Sequence, residues 1–273
     1  MSINNILPFV STIIMFSFVV AVLYRYWRRR RPHLLVWGIG LAMFGAGSLA
    51  EAWLAVAWSS AMFFIWYVFG AALNAAWLGQ GTVYLLVRRR GVAHGLMATL
   101  LAGSLVVGVL MLRQMPTLNT AIFTPERSVS EQYGSKVVGP GDKIPAGAVV
   151  VETTYRGETV QVRQGLLPLG APVRLTTPFF NIYGLIALVG GAIYSAWLFW
   201  RKRVFPNRVI GNILIATGAL LIGFASTLTR LGIGDYLYLG ELLAAVLMFI
   251  GFLQATAHSP VTARQPEVAT QQA

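Results

Sequence analysis

Seven stretches of the chain run apolar for about 20 residues apiece, the length a helix needs to cross a hydrocarbon core about 30 Å thick. They are Ile6–Tyr24, Leu34–Ala57, Ala61–Val87, Val92–Leu112, Phe179–Trp200, Val209–Leu228 and Leu237–Ala257. Most are joined by a few polar or basic residues. The fourth and fifth are separated by residues 113–177, where polar and β-branched side chains alternate and turn residues recur. The pattern predicts an all-α integral membrane protein, a bundle of seven transmembrane helices, with a small β-rich insert between helices four and five. The expected layout is helices one to four over 1–112, the insert over 113–177, helices five to seven over 178–257, and a short disordered cytoplasmic tail over 258–273.

Within the insert, Val149–Tyr155 and Glu158–Arg163 read as the strands of a hairpin turning at Arg156–Gly157, after turns at Pro140–Asp142 and Pro145–Gly147. The stretch "PGDKIPAG" (140–147) resembles a turn in the actuator domain of P-type ATPases. The "DKTG" phosphorylation motif of those pumps is absent, so the resemblance implies no activity here.

Composition agrees with lipid as the solvent. Only 11% of the 273 residues are charged, against about 25% in a soluble domain. The charge that remains is unevenly placed. Arg25, Arg28, Arg29, Arg30 and Arg31 follow helix one; Arg88, Arg89 and Arg90 follow helix three; Arg201, Lys202, Arg203 and Arg208 follow helix five. Clustered Lys and Arg mark the cytoplasmic side, so the N-terminus is expected outside, the C-terminus inside, and the insert outside. "RYWRRRRPH" (25–33) would suggest a nucleic-acid grip in a soluble chain. Between two membrane helices it reads instead as a topogenic signal resting on anionic lipid headgroups, with no nucleic-acid partner. The first run has no positive charge before it, unlike a signal peptide. The lack of cysteine and of Asn-x-Ser/Thr sites points to a bacterial plasma membrane.

Charged side chains within membrane helices are costly and often functional. Glu51 lies 17 residues beyond Leu34 in helix two, about 26 Å along at 1.5 Å per residue. Arg230 ends helix six and Glu241 begins helix seven at that same level, so a Glu51–Arg230–Glu241 group is expected. Small and polar residues mark expected inward stripes: Trp37, Gly40, Gly47 and Glu51 in helix two; Tyr67, Gly70, Asn74 and Gly81 in helix three; Asn212, Ala216, Ala219, Gly223, Ser226 and Arg230 in helix six. Helices one to three and five to seven echo each other. Each set has an aromatic (Trp27, Trp200), a basic cluster, a proline (Pro32, Pro206) and then a glycine-rich helix, the signature of a 3+1+3 duplication.

Several chemistries fall away. His33, His94 and His258 sit at the basic edge, so no pair brackets a haem at mid-membrane. No run contains the lysine a retinal Schiff base needs. "GIGD" (232–235) matches the GxGD pattern of intramembrane aspartyl proteases but lies in a loop, without a second membrane aspartate. No Pro-Gln dipeptide links the chain to the PQ-loop transporters. No cofactor or metal is expected. The leading expectation is a non-enzymatic polytopic plasma-membrane protein, a sensor-like module or accessory subunit. It would bind a partner protein, a second copy or lipid through its outer face. One alternative is a small repeat transporter with a path along Glu51, Asn74, Asn212 and Arg230, although no run has a proline at its centre. The other is a lipid-directed enzyme using Glu51 or Glu241 as base.

Overall fold

The computed structural model describes residues 3–142, 144, 147–202, 206–230 and 236–257, without the side chains of 3–5 and 230. Pro145, Arg203, the Gly232–Asp235 turn and the tail from His258 lie outside the described residues, as does the side chain of Arg230. Among the described residues, seven helices are long and apolar enough to cross a membrane. They are α1 (Ile3–Arg29), α2 (Pro32–Leu54), α3 (Ser60–Leu86), α4 (Arg90–Gln114), α5 (Pro172–Arg201), α6 (Pro206–Arg230) and α7 (Leu237–Thr256).

Prolines open three of them. Pro32 stands at the start of α2, Pro172 at the start of α5 and Pro206 at the start of α6. A first-turn proline loses no helical hydrogen bond and arrives with its φ already set. Helix α5 therefore begins seven residues before the apolar run at Phe179, inside the segment assigned to the insert. Its opening residues, Pro172 to Pro178, are too polar to register in hydropathy, yet they form helix.

The helices pack as a ring in the order α1, α2, α3, α5, α6, α7, with α7 returning to α1; α4 lies outside it against α3 and α5. Only 17% of α4's most apolar window is buried. The two halves have matching neighbours: α1–α2 corresponds to α5–α6, and α2–α3 to α6–α7. Glycine makes the closest approaches in both halves. A Cβ on Gly47 would lie 2.5 Å from the Gly70 Cα, and one on Gly211 would lie 2.5 Å from the Ala255 nitrogen. Lipid is as apolar as any side chain, so membrane helices gain most by backbone-to-backbone approach, which a missing Cβ permits.

The α2 and α3 stripes face inward as expected, and they meet each other, Gly47 against Gly70 and Gly81 against Trp37. The α6 stripe does so only in part: Asn212 lines the interior and Ala216 is buried against Val189 and Ala192 of α5, but Gly223 is exposed, and the closest approaches to α7, at Gly211 and Gly218, lie roughly a third of a turn from the expected line. In lipid both faces of a helix are apolar, so the small-residue row at seven-residue spacing, which meets α7, decides the rotation.

The links α1–α2, α3–α4 and α5–α6 meet at one end of the ring, here the basic end. Arginines there lie on aromatic rings: Arg30 stands 4.7 Å from the Trp27 ring centre, Arg28 5.0 Å from Tyr24 and Arg201 5.4 Å from Trp197. The interleaving of arginine and aromatics seen in the sequence thus builds amphipathic side-chain pairs at the end of the bundle.

The insert occupies the opposite end. Its described residues contain two 3-10 turns (Met115–Thr117 and Thr120–Ile122), one α-helical turn (Val129–Gln132) and a three-stranded antiparallel sheet. The strands are β1 (Lys136–Val137), β2 (Val150–Tyr155) and β3 (Glu158–Arg163), in the order β1–β3–β2. The hairpin matches expectation to within one residue, with Thr153 opposite Val160. Arg156 (φ 55°) and Gly157 (φ 89°) are both left-handed, as a tight two-residue hairpin turn requires. β1 is too short to have shown a pattern of its own.

Candidate functional site

The insert is no free-standing module. Its residues Val129, Leu166 and Leu167 share one buried cluster with Val173 of α5 and with Phe63, Trp66 and Tyr67 of α3. Tyr133 stands 5.7 Å from the Trp66 ring and 6.1 Å from Tyr67, while Trp58 stands 4.9 Å from Phe123. Gln132 clamps the loop above them. Its Oε1 accepts from the Thr124 N–H (3.1 Å), and its Nε2 donates to the carbonyls of Thr124 and Arg127 (both 2.8 Å). The result is an aromatic lid on one end of the ring.

Beneath this lid the structure brings together two of the sequence-derived candidates. The carboxyls of Glu51 on α2 and Glu241 on α7 face each other within hydrogen-bonding reach. The Trp66 indole of α3 and the Ser130 hydroxyl of the insert also reach Glu51. Tyr238 stands one turn before Glu241 on α7, within range of the charge of both carboxyls. Glu51 is 3% exposed. The expected third member, Arg230, ends α6, with its side chain outside the described residues.

The other two path candidates lie elsewhere. Asn74 is engaged locally, its Oδ1 accepting from the Ala75 N–H at 2.6 Å. It sits where α3 returns to α-helical geometry after a π-helical segment, Trp66–Leu73. Asn212 lies toward the basic end, in the wall of a cavity of about 50 Å³. Every ring helix contributes to that wall: Phe18 from α1, Leu41 from α2, Thr82 from α3, Ser195 from α5, Asn212 from α6 and Phe252 from α7, with nothing from α4. At about 10–15 Å³ per water, the space takes a few waters or a piece of a ligand. Trp37 fixes one wall, its Nε1 donating to the Leu78 carbonyl at 3.1 Å and the Thr82 hydroxyl at 3.3 Å. Phe252 continues toward the basic end, where the Arg25 guanidinium lies 4.8 Å from its ring centre. Of the three candidates whose side chains are described, Glu51 marks one end of the ring, Asn74 is engaged on its own helix and Asn212 lines a cavity toward the other end.

Three features escaped the sequence reading. Gln80 is fully buried, donating from Nε2 to the Ala93 carbonyl at 2.8 Å and accepting from the Tyr183 hydroxyl, so that one side chain ties α3 to α4 and α5. A second π segment interrupts α5 at Ile186–Gly190. Asn181 of α5 donates to the Ala71 carbonyl at 3.2 Å, supplying a partner within the α3 π segment, where the regular hydrogen-bond ladder is broken. The polar type of Gln80 and Asn181 inside apolar runs was the available signal; backbone π geometry leaves none.

Comparison with protein-family models, with curated protein sequences and with solved structures found no match.

Proposed function

We propose that this polytopic membrane protein is a non-enzymatic, sensor-like module that binds a small, mostly apolar molecule inside its helix ring. The observation that carries the reading is the cavity toward the basic end, walled by all six ring helices. Concave apolar space with a few polar groups (here Thr82, Ser195 and Asn212) is the usual form of a small-molecule site. A ligand touching six helices biases the whole ring, and the lid ties that ring to the insert. The insert's exposed hairpin then offers a partner protein, or a second copy, a surface whose position follows the ring. In this reading the basic end faces the cytoplasm of a bacterial-type plasma membrane, with its arginines on anionic headgroups. The test is purification in lipid nanodiscs, followed by mass spectrometry for a retained small molecule. Retention by the wild type and loss in Ala192→Phe, with the fold intact, supports the reading; equal recovery from both, or none from either, removes it.

Transport is a second reading, favoured by the π segments in the adjacent helices α3 and α5. Interrupted helices let a bundle rock around a central site. Proteoliposome uptake that needs an open cavity and stops in Ala192→Phe would favour transport over sensing.

A further inference from the structure

The lidded end of the ring holds an arrangement that packing alone does not account for. Glu51 is 3% exposed, and its Oε1 has no hydrogen-bond partner among the described residues. Ser48, one turn along the same face of α2, is equally buried, and its Oγ also lacks a partner. An isolated buried carboxylate is strongly disfavoured even after relaxation of its surroundings, and here a second carboxyl, that of the half-buried Glu241, faces the first. Two like charges in contact, one of them shut away from water, cannot both persist. Something positive has to stand between them or beside them.

The groups around the pair narrow the choice. Trp66 of α3 brings an indole N–H, which only donates. Ser130 of the insert and Tyr238 of α7 bring hydroxyls. Glu131, whose charge reaches Tyr238, pairs with Arg127 at 3.8 Å. A calcium ion takes six to eight oxygen ligands. The described residues contain no group of three or more His, Asp or Glu side chains placed to hold a metal. The indole only donates and the hydroxyls can donate or accept, which leaves too few oxygens for calcium, and the smallest cation fits.

We propose that Glu51 and Glu241 form a proton-binding site in which the two carboxyls share one proton at the lidded end of the ring. The N–H of Trp66 and the hydroxyl of Ser130 then steady the remaining negative charge, and the enclosed, unpartnered Oε1 of Glu51 is the oxygen left to take the proton. The site is independent of the cavity toward the other end and does not rest on the ligand-binding reading.

The experiment is infrared difference spectroscopy on the full chain in nanodiscs, titrated from acid to alkaline pH. The expected result is a protonated-carboxyl C=O stretch present at neutral pH and lost at alkaline pH, shifted in frequency and midpoint by E51Q or E241Q alone and absent from the E51Q/E241Q double variant. Glutamine keeps the side-chain shape and removes the repulsion, so both variants should fold. Should either fail to, E51D moves one carboxyl back by a methylene and shifts the band. Arg230, at the end of α6, is the competing counter-charge. If its guanidinium neutralises the pair, the wild type shows no such band at neutral pH and R230A creates one, which overturns the proposal. A band that persists in the E51Q/E241Q double variant, or that E51D leaves unshifted, overturns it equally.

Discussion

The two ends of the ring solve opposite problems. At the lidded end, polar groups gather closely: buried Glu51 meets Trp66 and the half-buried Glu241 and Ser130, with aromatic side chains stacked above them. Toward the basic end the interior is apolar and partly empty, while the charges splay outward onto Tyr24, Trp27 and Trp197. A soluble protein usually pairs polarity with openness and apolar character with density. Here the relation is reversed, for a reason rooted in the solvent. Carboxyls at the end of a membrane bundle need cover from lipid and from each other, which a folded insert supplies. Arginine stems are long enough to reach the headgroups unaided, so the helices there need not close over anything.

The severest way to break this contrast is to part the helices that connect the two ends. A Cβ on Gly184 would lie 2.3 Å from the Ala75 carbonyl carbon of α3. Gly184→Leu is expected to cost about 3 kcal/mol or more, read as loss of monodisperse protein or a much lower midpoint in thermal unfolding. Gly223→Leu, at a site with open space around it, should leave that midpoint nearly unchanged. Next in size is the lid. Tyr133→Ala removes a ring packed on Trp66 and Tyr67 and held under Arg174 at 5.5 Å, at an expected cost of about 2 kcal/mol. It should also speed amide exchange around Ser130 and leave the cavity end unaltered; an equal rise in exchange at both ends would contradict the separation.

The reverse effect is expected at the other end. Ala192→Leu fills cavity space and should raise stability by about 1 kcal/mol, whereas a fall of that size would mean the wall is already tightly packed. The smallest effect belongs to the exposed sheet. The Gly139 N–H donates to Asp142 at 2.9 Å, and Lys136 lies 3.1 Å away, so the Asp142 carboxyl is held below the ordinary aspartate range. A depressed value means that the contact stabilises the turn above the unfolded-state pKa and is lost as pH falls through the folded one. Asp142→Ala should therefore expose the Gly139 amide to exchange at neutral pH, match wild type in strong acid, and leave global unfolding unmoved.

Much of this architecture could be read from residue order. The seven runs, the hairpin with its Arg156–Gly157 turn and the facing stripes of α2 and α3 follow from patterns of period 2 or 3.6 and from turn chemistry. The pairing of Glu51 with Glu241 was legible because charge is rare in the membrane and helix rise converts residue count into depth. The rotation of α6 was legible only in part, through Asn212 and Ala216, since in lipid an apolar face carries no instruction to turn inward. Gln80 and Asn181 were visible as residues but not as ties, because their partners lie on other helices.

Residue order alone therefore determined how often the chain can cross a bilayer, where its charges gather and that two carboxyls share one depth. Each of those follows from local free energies of transfer and from the rise of a helix. Tertiary packing decided the ring order, the exclusion of α4, the seating of the insert and the existence of a cavity. Those outcomes depend on which backbones approach most closely, and that is a property of helix pairs, which no single segment encodes.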